Sequence, residues 1–265
     1  MKGKYIVIES IDGGGKGIIL KGFKKYHEEK KEFLFDIEDQ WKNRDSSFIK
    51  WFGTNDVLPS YEFVKQKLLE EGKNPSGYIV AEPTFEGMGK FIREVAINNK
   101  KFKEYTPQMR INLYAQNRYS LLKKFILPAL EDGKHVYSSR NITSSLVYQT
   151  TELNCSFEQI TKIEGNNFAL KNLPDHTIIS AISINKSLSN LSNRDKQDDA
   201  FFENKEFQTM ILKKYLSQEL KDYLEKNNSE VIYFNISEES GPEDTIKRSK
   251  ELIKKIIIKK KKIIF

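Results

Sequence analysis

A chain of 265 residues, 38% hydrophobic and 12% aromatic, is long enough to bury a substantial core, and no run approaches the ~18 consecutive apolar residues of a membrane span. The single cysteine, Cys155, excludes an internal disulfide and a cysteine-based zinc site and fits a reducing cytoplasm. The formal net charge of +7 reads as a solvated basic surface, because the lysines are scattered apart from one local run, KKIIIKKKKIIF; it equally suits a field for polyanionic nucleotides, and no nucleic-acid or membrane partner is expected.

The N-terminal MKGKYIVIES enters a strand at once, so no secretion signal is expected. YIVIES (5–10) is a short, β-branched apolar run, followed by glycines and a helical stretch from Lys16 to about Lys30. FLFDI (33–37), YIVAEP (78–83), HVYSS (135–139), HTIISAIS (176–183) and VIYFNIS (231–237) are further strand candidates. Helical patterns cover 60–72, 87–98, 107–131, 203–226 and 242–258, the last opening on Pro242 and acidic residues as a helix N-terminus does. Strands alternating with helices predict an α/β domain of three layers over 1–265, with about five parallel strands and 5–10 central among them. The stretch 39–77 is polar, holds both tryptophans and reads as a peripheral insertion; 150–173 reads as irregular.

The loop after the first strand, ESIDGGGKGIIL (9–20), approaches the phosphate-binding pattern G-x-x-x-x-G-K-[ST] but departs from it twice. Ser10 stands at the first glycine, and Gly17 stands where a magnesium-binding hydroxyl belongs. Asp12-Gly13-Gly14-Gly15-Lys16 still offers unhindered backbone N–H groups at a helix N-terminus, where an anion is favoured, and Lys16 can reach terminal phosphates. A glycine-rich turn without a ligand is the alternative. His27, His135 and His176 have no metal-ligand spacing and read as structural.

Together with the strand and loop YIVIESIDGGGKG, three further stretches, in order, give the chain a resemblance to the thymidylate kinase family from about residue 4 to 255. AEPTFEGMGKFIRE (81–94) resembles that family's Glu-Pro loop. LYAQNRYSLLKKFILPALEDGKHVYSSRNITSSLVYQ (113–149) resembles its base-recognition helix and Arg-containing strand end, and NRDKQDDAFFENKEF (193–207) its lid. The resemblance implies a P-loop kinase fold with a five-stranded parallel sheet, a lid at about 186–203, and phosphorylation of dTMP by ATP with Mg²⁺, toward dTTP supply, in a cytoplasmic homodimer. It assigns ATP to Asp12, Gly13, Gly14, Gly15, Lys16, Gly17, Ile18 and the lid cation Arg194, with Lys196 beside it. It assigns the nucleoside monophosphate to Asp12 (through the 3′-hydroxyl), Glu82, Arg93, Tyr114, Arg118, Arg140, Ser145, Tyr148 and Gln149. Tyr114 would stack on the base, Arg118 would donate to its edge, and Lys16, Arg140 and Glu82 would be catalytic. The metal has no assigned ligand beyond Glu82 acting through water.

The departures bear on rate. Adenylate kinases also carry glycine after the lysine, but a threonine follows it there, and here Ile18 supplies no hydroxyl. Ser139, Asn141 and Ala81 replace an acid, an aromatic or His, and an arginine that the family often carries. Fewer charges around a transferred phosphoryl group mean slower transfer. Three readings stay open: an active nucleoside-monophosphate kinase, a nucleotide-binding but catalytically weak relative, and a non-kinase P-loop nucleotide-binding regulator. A guanidinium only donates, so Arg118 would favour the 4-carbonyl of thymine and uracil over the amino group of cytosine, giving the order dTMP, dUMP, dCMP.

Overall fold

The computed structural model describes residues 2–42, 57–97, 104–192 and 205–258. One parallel sheet contains β1 (Tyr5–Glu9), β2 (Leu34–Asp36), β3 (Gly77–Ala81), β4 (His135–Ser139), β5 (His176–Ile182) and β6 (Glu230–Ile236), in the order β2-β3-β4-β1-β5-β6. β1 lies inside the sheet, paired to β4 and β5. Every residue of β1 and β3 is buried, which is why these strands are unbroken apolar runs: a sheet covered on both faces has no polar side to offer.

The sheet has six strands, where about five were expected, one at each of the six runs read as strand candidates. β2 is only three residues long, set at the edge against β3 with Leu34 opposite Gly77 and Asp36 opposite Ile79. At the other edge, β6 buries Val231, Phe234 and Ile236 and exposes Glu230, Tyr233 and Asn235.

The helices are α1 (Lys16–Glu29), α2 (Ile37–Lys42), α3 (Tyr61–Glu70) and α4 (Met88–Phe91), the last continuing as a π-helical stretch, Ile92–Ile97. Then α5 (Pro107–Leu121) passes through a second π-helical stretch, Leu122–Ile126, into α6 (Leu127–Glu131). Beyond β4 come α7 (Ile142–Leu153), α8 (Phe157–Thr161) and α9 (Glu164–Leu170); beyond β5, α10 (Ile184–Ser192), α11 (Lys205–Tyr215), α12 (Gln218–Lys226) and α13 (Pro242–Ile258). The stretch 150–173 is thus helical, not irregular, and its signal was local. Ser156 accepts from the Gln159 amide while the Gln159 side chain accepts from the Ser156 amide, a capping box that starts α8. The single helical pattern at 203–226 is divided by Ser217, which caps α12 through the Leu220 amide.

Residues 43–56 lie outside the described residues, but the rest of the 39–77 stretch enters the core. Trp41, Leu58, Tyr61, Val64 and Leu68 are buried, and the Tyr61 ring meets Tyr78 and Phe125 edge-on at 5.6 and 5.8 Å. All six strands run the same way, so β1, β3 and β4 deliver the phosphate loop, Glu82 and Arg140 to one end of the sheet. Open α/β sheets bind ligands there.

Candidate active site

β1 ends at Glu9, and Ser10 to Gly15 form the loop that starts α1. Gly15 is the N-cap, held at φ 83° in the left-handed region that glycine alone adopts without strain. Gly13 to Ile18 line a cavity of about 610 Å³ together with Lys21, Lys24, Ser139 and Asn190. The helix N-terminus opens into it, which suits phosphate. The Gly14 amide closes a turn onto Ile11 O within the loop, so it is engaged by the protein itself. Two contacts from behind fix the loop's peptide planes: Asn190 Nδ2 donates to Gly13 O at 2.8 Å and Ser180 Oγ to Gly14 O at 2.7 Å. The Lys16 ammonium donates to Ile11 O at 3.1 Å and Ser10 O at 3.3 Å.

The serine at the first glycine position has a steric consequence. A Cβ on Gly14 would fall 1.5 Å from Ser10 Oγ, so the Ser10 side chain fills space that only a glycine at 14 leaves open. Ser10 is fully buried and its hydroxyl has no hydrogen-bond partner among the described residues. A Cβ on Gly17, by contrast, meets nothing within 4 Å.

Glu82, one residue past β3, and Arg118, on α5, form a buried ion pair with Nε 2.8 Å from Oε2. Arg118 Nη2 also donates to Asn141 O at 3.2 Å and Ser145 Oγ at 2.9 Å, and Nη1 donates to Asn166 Oδ1. These bonds engage four of the five N–H groups of a guanidinium and leave one, on Nη1. Ser145 therefore supports Arg118. Glu82 Oε1 is buried and has no hydrogen-bond partner among the described residues. Burial pushes the Glu82 carboxyl up to about 7; Arg118 opposes the shift, and the Glu9 charge adds to it.

A folded-state value above the ordinary carboxyl range means that the native protein holds a proton the unfolded chain has released. The stability contributed by Glu82 is complete below its unfolded pKa and is lost as pH rises toward about 7. Glu82→Gln is expected to flatten that decline between pH 5 and 7, roughly the window separating the two values. Thermal midpoints measured across pH check this; an unchanged slope would show that Glu82 titrates normally.

Arg140, just past β4, forms an ion pair with Asp12 of the loop and donates to Ser144 Oγ at 3.1 Å. Its guanidinium lies 5.3 Å from the centre of the Tyr148 ring. Tyr114, on α5, sits in the field of Arg140, Arg93, Asp12 and Arg110, and burial pushes its hydroxyl up to about 12. Arg93 donates to Pro83 O and Thr84 O and stacks 3.8 Å from the Phe85 ring centre, bracing the Glu-Pro loop; burial lowers it to about 10. Asn117 clamps the same loop through both Thr84 N and Thr84 Oγ1. Gln149 is buried, with its Oε1 unpartnered among the described residues.

The fold thus gathers Asp12, Lys16, Glu82, Arg93, Tyr114, Arg118, Arg140, Ser145, Tyr148 and Gln149 around one end of the sheet. Arg194 and Lys196 lie outside the described residues, as does most of the lid stretch 186–203 beyond α10. Polar residues that the sequence did not single out also stand in this network, among them Glu9, Asn117, Ser144, Asn166, Gln208 and Tyr215. Glu9 was visible only as a strand-ending acid beside the loop; the others carried no local signal.

A family profile described as "Thymidylate kinase" matches residues 60–238, over half the chain. That match begins beyond the phosphate loop, so the loop's reading stands on its own geometry. A thymidylate kinase of Ligilactobacillus salivarius is 28% identical over 220 residues, 82% of this chain and 84% of that protein. One of Prochlorococcus marinus subsp. pastoris is 30% identical over 188 residues, 71% and 70% of the two chains. The solved thymidylate kinase of Candida albicans shares the fold with a TM-score of 0.58 at 18% identity, over 97% of this chain and 93% of that one.

Proposed function

This chain belongs to the thymidylate kinase family, and we propose that it transfers the γ-phosphoryl group of ATP to dTMP, giving dTDP and ADP, where β1 and β4 end. The observation that carries the reading is the Asp12–Arg140 pair, which joins the phosphate loop to the strand end beside it. In this reading the loop amides and the Lys16 ammonium hold the ATP phosphates. Arg140 meets charge on the transferred group. Asp12, whose carboxylate lies beside Arg140, takes the 3′-hydroxyl. Tyr114 gives the base a stacking face, and the remaining Nη1 proton of Arg118 reads its 4-carbonyl.

Mg²⁺ fits this site as an ion carried by the nucleotide. Among the described residues no three His, Cys, Asp or Glu side chains form a metal cluster, and magnesium is commonly held by substrate phosphates and water with few protein ligands. The chemistry it supplies there is neutralisation of the β- and γ-phosphate charge. Glu82, the water-mediated candidate, is turned to Arg118.

Gly17→Ser tests the metal. The added side chain has open space and lines the cavity. It is expected to lower the Mg²⁺ concentration for half-maximal rate about threefold or more by restoring a loop hydroxyl. An unchanged Mg²⁺ titration would mean that water alone mediates the protein's contact with the metal.

A coupled ADP-release assay across the nucleoside monophosphates, with and without Mg²⁺, tests the function, with dTMP first, dUMP second and dCMP far behind. A best rate on dCMP or a purine monophosphate would overturn the pocket assignment. Nucleotide binding with no turnover would leave the weak relative. The reading extends to one domain acting as a homodimer in the cytoplasm without nucleic acid. It is supported by one continuous core, a lone Cys155 and scattered basic residues, and no helix among the described residues is long and apolar enough to cross a membrane.

A further inference from the structure

We propose that Glu9 is a positioning residue for phosphoryl transfer: its buried carboxylate holds Arg140 in its working conformation and ties that conformation to α11 through Tyr215. The proposal rests on the role assigned above to Arg140.

Glu9 is fully buried at the end of β1. Its Oε1 accepts from the Asn141 amide at 2.8 Å and the Ser144 amide at 3.2 Å; its Oε2 accepts from Ser144 Oγ at 2.7 Å and Tyr215 OH at 2.8 Å. The four bonds come from neutral donors, three of them at the N-terminus of α7, whose dipole favours an anion. Asn141 caps α7 by accepting from the Thr143 amide at 2.8 Å and leaves the Asn141 and Ser144 amides to Glu9, so the carboxylate fixes the backbone that follows Arg140.

Arg140 is held at φ 73°, a left-handed conformation that costs a side-chain-bearing residue about 1 kcal/mol and persists only where its surroundings enforce it. Its own amide donates to Ile8 O at 3.1 Å, Ser138 Oγ donates to its carbonyl at 2.8 Å, and the next amide is the one Glu9 takes. The guanidinium is reached as well: Ser144 Oγ donates to Glu9 and accepts from Arg140 Nη1. Glu9 thus controls Arg140 from the backbone and from the side-chain end.

The other half of the arrangement is α11. Gln208 and Tyr215 are seven residues apart, two helical turns, and so share a face. Gln208 exchanges two long contacts with Asp12: its Oε1 lies 3.4 Å from the Asp12 amide and its Nε2 3.5 Å from Oδ2. Tyr215 binds Glu9 and touches Ser144 Oγ at 3.2 Å. One helix therefore contacts both partners of the Asp12–Arg140 pair, one directly and one through Glu9. A shift of α11 therefore reaches the Arg140 guanidinium through Glu9 and Ser144, and the Asp12 carboxylate through Gln208.

The test compares Glu9→Gln and Tyr215→Phe in the unmutated protein and in Arg140→Ala. Glu9→Gln is expected to lower kcat about tenfold with both KM values within about threefold, and Tyr215→Phe to lower kcat about threefold. Since both act through Arg140, neither should lower kcat by more than about twofold once Arg140 is alanine. Hydrogen exchange at the Asn141 and Ser144 amides should quicken in Glu9→Gln, whether or not the protein turns over. Unchanged kcat in both variants overturns the proposal, as do full multiplication of their effects with Arg140→Ala, a change confined to KM, or unaltered exchange. If Glu9→Gln does not fold, the Tyr215→Phe cycle decides by the same criterion. An unmutated protein inactive on dTMP refutes the proposed function instead, and the exchange result still judges Glu9.

Discussion

Lys16→Ala is expected to lower kcat by about 10²- to 10³-fold, the usual consequence of removing one preorganised electrostatic contact from a transition state. Lys16 is the first residue of α1 and lines the cavity, with its ammonium 3.1 and 3.3 Å from the Ile11 and Ser10 carbonyls. Those carbonyls hold the charge beside the loop amides, where phosphate oxygens would offer stronger, charged acceptors. Alanine removes the ammonium but preserves the helix start, having the highest helix propensity. ATP affinity should fall as well, because part of that attraction exists before transfer. Steady-state kinetics with ATP titration calorimetry separate the two effects, and an unchanged circular dichroism spectrum confirms the fold. Retention of kcat within about tenfold would mean that the loop amides and Arg140 suffice without this cation.

Arg118→Ala is expected to have the largest effect on stability, a loss of about 3–5 kcal/mol, because it breaks a buried ion pair and leaves one charge uncompensated. Arg118 is only 2% exposed and its bonds reach Glu82, Asn141, Ser145 and Asn166, so truncation strands acceptors on four residues from three segments. A midpoint decrease of about 10 °C is the corresponding observable in a thermal melt. Adding Glu82→Gln should restore part of the loss, since the neutral amide no longer needs a cation, and the double variant should be more stable than Arg118→Ala alone. In protein that remains folded, the preference for dTMP over dCMP should flatten, because the donor proposed to read the 4-carbonyl is gone. Full preference in a folded Arg118→Ala protein would assign base reading elsewhere.

Local chemistry carried much of the fold into the sequence. YIVIE and GYIVA are unbroken apolar runs with β-branched residues, and burial on both faces allows nothing else. The glycine-rich loop was legible because three glycines and a lysine between a strand and a helix answer a local backbone need. Local too was the capping box at Ser156, which the sequence contained and a reading of periodicity passed over. FLFDI was legible as a strand, but its place at the edge of the sheet and its short three-residue pairing to β3 were decided by the fold. The site's polar partnerships belong to the tertiary structure entirely. Arg118 meets Glu82 across 36 positions, Arg140 meets Asp12 across 128, and Glu9 meets Tyr215 across 206. A residue type fixes what a side chain can donate or accept; the partner it finds depends on which strand ends and helix faces the topology brings within 3 Å or so. Asp12 and Glu9 are both acids flanking one loop in the sequence, and only the fold turns one to the Arg140 guanidinium and the other to the backbone beside it.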